Sequence, residues 1–130
     1  MKKIILLFIL VLVFATGYQY ISSPKQVVIP VPIFQVTETI NYGNDKPSEN
    51  FTQAINNDKT VFDVLNLTAK NIDSKQYDFG VMINSINDVK SGTDQKYWVY
   101  YVNDQSATIA ADKYILKPND KITWSFENLK

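Results

Sequence analysis

Two aromatic side chains two residues apart, Trp98 and Tyr100, are the pair whose type and spacing point most directly to chemistry. In an extended strand they share one face, where they could stack on a planar ligand or a sugar ring. The same pair serves a hydrophobic core equally well, and on residue type alone both uses stay open. The carboxylates offer less. Asp88 and Asp94 flank Ser91-Gly92-Thr93, a set of oxygen donors of the kind that hold Ca²⁺. The EF-hand spacing is absent, so a solvated loop is expected there. Asp63 stands where a helix cap calls for it, and Asp112 and Asp120 stand where turns favour Asp. No two carboxylates are set up by sequence as an acid–base pair for hydrolysis.

The 130-residue chain has no His and no Cys, and all 13 of its basic residues are Lys. Thiol catalysis, disulfides, Cys/His zinc sites and His-based triads are thereby excluded. With no nucleophile and base to name, the expected protein is not an enzyme. The lysines are matched by 13 acidic residues, all beyond position 37. With Lys2 and Lys3 set aside, 11 lysines face those 13 acids, and no basic cluster stands out. A nucleic-acid partner is therefore not expected.

The elements that must position Trp98 and Tyr100 follow from periodicity. Tyr97 to Val102 is an unbroken apolar and aromatic strand, stopped by Asn103-Asp104-Gln105-Ser106. It either buries both faces or buries one and offers an aromatic platform on the other. Phe34, Val36, Ile40 and Tyr42 form the apolar side of a half-buried strand that only Glu38 interrupts, and Asn50 to Ile55 reads as a weaker strand. Thr60-Val61-Phe62-Asp63 reads as a capping box opening a helix. Val61, Leu65, Thr68 and Ile72 line its apolar face, and it ends near Asn71. Tyr77, Phe79, Val81 and Ile83 alternate with Gln76, Asp78, Gly80 and Met82 as one further strand, and Asn84 to Asp88 leads to the polar loop Ser91-Gly92-Thr93-Asp94. Lys117-Pro118-Asn119-Asp120 suits a type I turn. After it, Ile122, Trp124 and Phe126 face inward while Lys121, Thr123, Ser125 and Glu127 face water. Strand, strand, helix and then several strands imply an α+β domain over residues 34–130. The expected architecture is a β-grasp (ubiquitin-like) mixed sheet with one packed helix.

The N-terminus reads as an export signal or a tether. Lys2 and Lys3 precede the apolar run Ile4 to Phe14, as in a secretory signal peptide, and Ala15 and Gly17 are small residues suited to cleavage before Tyr18. Ile4 to Ile21 is also just long enough for an uncleaved membrane anchor. Residues 1–21 are assigned to one of these two, and residues 22–33, with Pro24, Pro30 and Pro32, to a stiff linker. In either case the domain is expected outside the cytoplasmic membrane, secreted or anchored at the cell surface.

Three stretches resemble a known family. Met82-Ile83-Asn84-Ser85-Ile86, Lys96-Tyr97-Trp98 running to Tyr100, and Ala110-Ala111-Asp112-Lys113-Tyr114-Ile115 with Ile122-Thr123-Trp124-Ser125-Phe126 are similar to the C-terminal domain of transcobalamin and intrinsic factor. They are closer still to a bacterial domain family of largely unknown function. The resemblance implies a β-grasp-like fold. In the animal carriers it also implies a role as the smaller of two domains that sandwich a corrinoid, so cobalamin is the cofactor it suggests. The ligand-contacting positions it implies here are Tyr100 and Ala107. The chain lacks the large helical domain of those carriers, and Ala107 offers little contact area.

The expected function is an extracytoplasmic, non-enzymatic ligand-binding domain acting with a partner chain. A corrinoid or other small molecule would be met by Trp98, Tyr100, Asn103, Gln105 and Ala107, with no metal site. The alternative is a cell-surface structural or adhesion module that binds a cell-envelope protein or glycan.

Overall fold

The computed structural model describes residues 28–129, so the signal or anchor expected at 1–21 and the first part of the expected linker lie outside the described residues. The folded unit spans Val31–Lys130. Its elements are β1 (Ile33–Asn41), β2 (Glu49–Asn56), α1 (Val61–Thr68), β3 (Ile72–Tyr77), β4 (Gly80–Ile86), β5 (Val89–Lys90), β6 (Lys96–Val102), β7 (Gln105–Ser106) and β8 (Lys121–Asn128). The fold is mixed α+β. A five-stranded sheet has the order β2-β1-β8-β6-β7, and a three-stranded sheet has the order β3-β4-β5. β1 and β8 pair in parallel and every other pair is antiparallel. Among the described residues no helix is long and apolar enough to cross a membrane.

One face of the five-stranded sheet carries the core: Val36 and Ile40 from β1, Trp98, Tyr100 and Val102 from β6, and Ile122, Trp124 and Phe126 from β8. α1 adds Val61, Val64 and Leu65. Its start follows the capping box, with Asp63 N–H on the Thr60 hydroxyl at 3.1 Å and Thr60 N–H on the Asp63 carboxylate at 2.8 Å. The helix ends at Thr68, short of Asn71, and Ile72 opens β3. Asn87 is the cause, because its Oδ1 accepts Lys70 N–H at 2.7 Å and Asn71 N–H at 3.2 Å and draws the chain out of the helix. Glu38 does not interrupt the apolar side of β1 but is buried in it, 1% exposed. Its carboxylate accepts Trp124 Nε1–H at 3.1 Å and the Thr68 hydroxyl. Burial raises its pKa to about 7 against the lowering effect of those two bonds.

Three further expectations are corrected. The single strand through Tyr77, Phe79, Val81 and Ile83 is a hairpin: Tyr77 pairs with Gly80 across the turn Asp78-Phe79. Ahead of the polar loop at 91–94, β4 runs to Ile86 and turns at Asn87 and Asp88, both at positive φ, into β5. The Pro118 turn is type II, because Asn119 sits at φ 66, where type I needs a negative angle. On β8, Ser125 does not face open water but is 7% exposed.

Candidate functional site

Between β4 of the small sheet and β6 of the large one lies an apolar cleft of about 220 Å³. Val81 and Ile83 form one wall, Trp98, Tyr100 and Trp124 the floor, and Ala110 and Ala111 the far side. Phe79 and Met82 stand on the rim, 62% and 47% exposed. The floor is rigid. Tyr100 and Trp124 pack at 5.2 Å between ring centroids, and Trp98 meets Phe126 at 5.3 Å and the edge of Tyr42 at 5.6 Å. Trp98 Nε1–H donates to Val89 O at 2.8 Å, and the Tyr100 hydroxyl donates to Ile109 O at 2.6 Å. Burial, then Tyr114 and Asp112, push the Tyr100 phenol up to about 12, so it stays a neutral donor.

Asp112 joins the walls. Its carboxylate accepts Val81 N–H at 2.8 Å and the Gln76 amide at 3.3 Å, with Lys113 Nζ at 3.5 Å. Burial works to raise its pKa, yet these bonds and the nearby ammonium hold it below the usual carboxylate range. The approach is close enough to require glycine at position 80. A Cβ there would stand 2.3 Å from the Ala110 Cβ and 2.5 Å from Asp112 Oδ1, and φ is +129°. At the hairpin tip Phe79 stacks on Tyr77 at 5.2 Å, with Lys75 Nζ 5.1 Å from the Tyr77 ring centre.

Of the residues singled out by sequence, the structure brings Trp98 and Tyr100 together in this cleft. It places Asn103, Gln105 and Ala107 elsewhere. Asn103 forms the turn between β6 and β7 with Asp104, both at positive φ. Its Nδ2–H donates to Asp120 at 2.8 Å and its Oδ1 accepts Lys121 N–H at 3.0 Å. Gln105 is exposed on β7, and Ala107 donates its N–H to Tyr100 O at 3.2 Å while packing against the core. Asp88 binds Asn71, and among the described residues no three His, Cys, Asp or Glu side chains cluster to hold a metal ion. The sequence reading missed Phe79, Val81, Ala110 and Asp112 as site residues. The available signal was Gly80 directly after Asp78-Phe79, a turn mark inside an apparently regular strand.

The family described as "Domain of unknown function (DUF4430)" matches residues 58–128, more than half of the chain. The chain belongs to this family. The matched region contains every residue of the cleft, from Phe79 to Trp124, and leaves β1 and β2 ahead of it. No curated protein matches in sequence. Among solved structures, a Ruminococcus gnavus protein provisionally described as metal binding is 15% identical with a TM-score of 0.63, over 75% of this chain and 99% of that one. Haptocorrin in complex with Cbi is 14% identical, also with a TM-score of 0.63, over 78% of this chain. The chain spans 27% of haptocorrin's length. The fold is thus of the transcobalamin-like kind.

Proposed function

We propose that this family member is an extracytoplasmic, non-enzymatic ligand-binding domain whose site is the cleft between β4 and β6. The observation that carries the reading is the exposure of Phe79 and Met82 beside an aromatic floor that is itself fixed by hydrogen bonds. Large apolar side chains held at the mouth of a preformed apolar cleft fit a ligand that covers them. The resemblance to transcobalamin, and the haptocorrin likeness, support a corrinoid as the ligand class. At about 220 Å³ the cleft is smaller than the roughly 300–1,000 Å³ usual for small-molecule pockets. It therefore receives one edge of such a ligand, and a partner chain covers the rest. The β-grasp assignment belongs to the same reading, supported by a mixed sheet with β1 and β8 parallel in its middle and one packed helix. The signal or anchor at residues 1–21 supports placement outside the cytoplasmic membrane.

The test is a thermal-shift titration of the full chain with cobalamin and cobinamide, repeated with Phe79→Ala and Met82→Ala. A ligand at 100 times its dissociation constant stabilises the native state by about 2.7 kcal/mol. The expected result is a shift with a corrinoid that both rim variants reduce while keeping their unliganded melting temperature. No shift with either corrinoid, or an unchanged shift in both variants, overturns the reading.

A further inference from the structure

The opposite face of the five-stranded sheet carries a second, chemically different surface. Strand alternation turns Tyr97, Val99 and Tyr101 of β6 away from the core, beside Thr123, Ser125 and Glu127 of β8. The pairings Val99↔Ser125 and Tyr101↔Thr123 put them in register. A hollow of about 520 Å³ lies here, lined by Val99, Tyr101, Ser106, Glu127 and Leu129. Its carboxylate is oriented: Glu127 Oε1 accepts the Tyr101 hydroxyl at 2.5 Å and Oε2 accepts the Ser125 hydroxyl at 2.7 Å. The face continues across β1 and β2 as hydroxyls and amides, including Thr39 Oγ1 on Asn50 Oδ1 at 2.8 Å.

The composition of this face selects its partner. Among the outward side chains of β1, β2, β6 and β8 only Lys121 and Glu127 are charged, and they cancel. An anionic polymer or lipid surface would find no cationic patch, and an apolar protein surface would meet mostly Thr, Asn and Ser. A neutral polyol meets what it needs: tyrosine rings against which the C–H face of a sugar ring packs, and fixed hydroxyl and carboxylate oxygens for its own hydroxyls. We infer that the outer face of the five-stranded sheet binds a neutral saccharide chain, laid across Tyr97 and Tyr101 with Glu127 and Thr123 as hydrogen-bond partners. This site is separate from the apolar cleft and does not depend on it.

The test is isothermal titration of the full chain with neutral hexasaccharides of glucose, xylose and N-acetylglucosamine, at low and high salt. Binding of at least one, insensitive to salt and weakened about tenfold or more by Tyr97→Ala with the melting temperature kept, is the expected result. Glu127→Gln serves as the second variant, keeping an acceptor oxygen while removing the charge, and is expected to weaken binding without unfolding the chain. The inference is overturned if none of the three saccharides binds. It is equally overturned if binding survives both variants undiminished or is lost in Phe79→Ala, a change at the cleft rim and hairpin tip rather than on this face.

Discussion

Asp112 grips the main chain of Val81, accepting its N–H at 2.8 Å, and does so across a residue that can only be glycine. The acceptor oxygen stands 2.5 Å from where a Cβ on Gly80 would be. One contact thus fastens the β3–β4 hairpin to the loop that closes the cleft, and the cleft keeps its shape because this joint leaves no room for a side chain.

Gly80→Ala is accordingly expected to cost about 2–3 kcal/mol, from a positive φ and a clash with Ala110 together. Urea unfolding measures it. An unchanged midpoint would mean that the joint is looser than described.

Asp112→Ala is expected to speed amide exchange at Val81, whose N–H the Asp112 carboxylate accepts, while leaving the strand amides of β8 protected. Because the Asp112 pKa is lowered in the folded protein, its contribution is present above the unfolded pKa and fades as pH falls through the folded one. The difference between wild type and variant should therefore shrink on acidification below the ordinary carboxylate range.

Glu38 behaves in the opposite sense. Its folded pKa, about 7, lies above its ordinary 4.5, so the folded state holds the proton more tightly. Stability is highest below the unfolded value and declines as pH rises toward 7, by about 3 kcal/mol in all. Glu38→Gln keeps an acceptor for Trp124 and removes the charge. Thermal melts from pH 5 to pH 8 should show the wild type falling and the variant nearly level on this count, with the variant the more stable at pH 8.

Tyr100→Phe removes only the bond to Ile109 O and should cost about 1 kcal/mol with the cleft intact. Tyr100→Ala empties part of the core and should cost about 3–5 kcal/mol. Loss of binding in the alanine variant is thus uninformative unless the phenylalanine variant binds, which makes the pair the useful measurement.

Asn87→Ala strips the acceptor from Lys70 and Asn71 and the donor from Tyr42, whose hydroxyl it reaches at 2.6 Å. Asn also tolerates the φ of 48° better than Ala does. A loss of about 3 kcal/mol in chemical unfolding is expected, and a value near zero would show that water replaces the network.

Local signals in the sequence gave the elements whose causes are local. The Thr60–Asp63 cap, the alternation of β1 and β8 and the turn after Val102 depend on neighbours within a few residues, and they were legible. The hairpin was hidden by its own regularity. Tyr77, Phe79, Val81 and Ile83 keep a period of two straight through a two-residue turn, yet the turn reverses the chain so that Tyr77 faces with Gly80 and Gln76 with Val81. Burial of Glu38 depends on Trp124, 86 residues away, and on Thr68, 30 away, so a strand pattern could only register it as an interruption. The candidate cleft divides in the same manner. Trp98 and Tyr100 were visible because one strand sets their spacing. Phe79 and Asp112 join them only through tertiary contact, which no spacing announces.

The parallel pairing of β1 with β8 has a consequence for when the domain can form. These two strands sit side by side in the middle of the sheet, although Thr37 and its partner Lys121 are 84 residues apart. β6, too, has β8 as its long neighbour, since β7 offers only two residues. Until β8 is available, the first strand and the aromatic strand have no common scaffold, and their apolar sides face water. Pairing across so long a loop is slow compared with local hairpin closure. β8, the last of the described strands in chain order, is therefore the one that assembles the sheet, and the cleft and the outer face take shape only once it has paired.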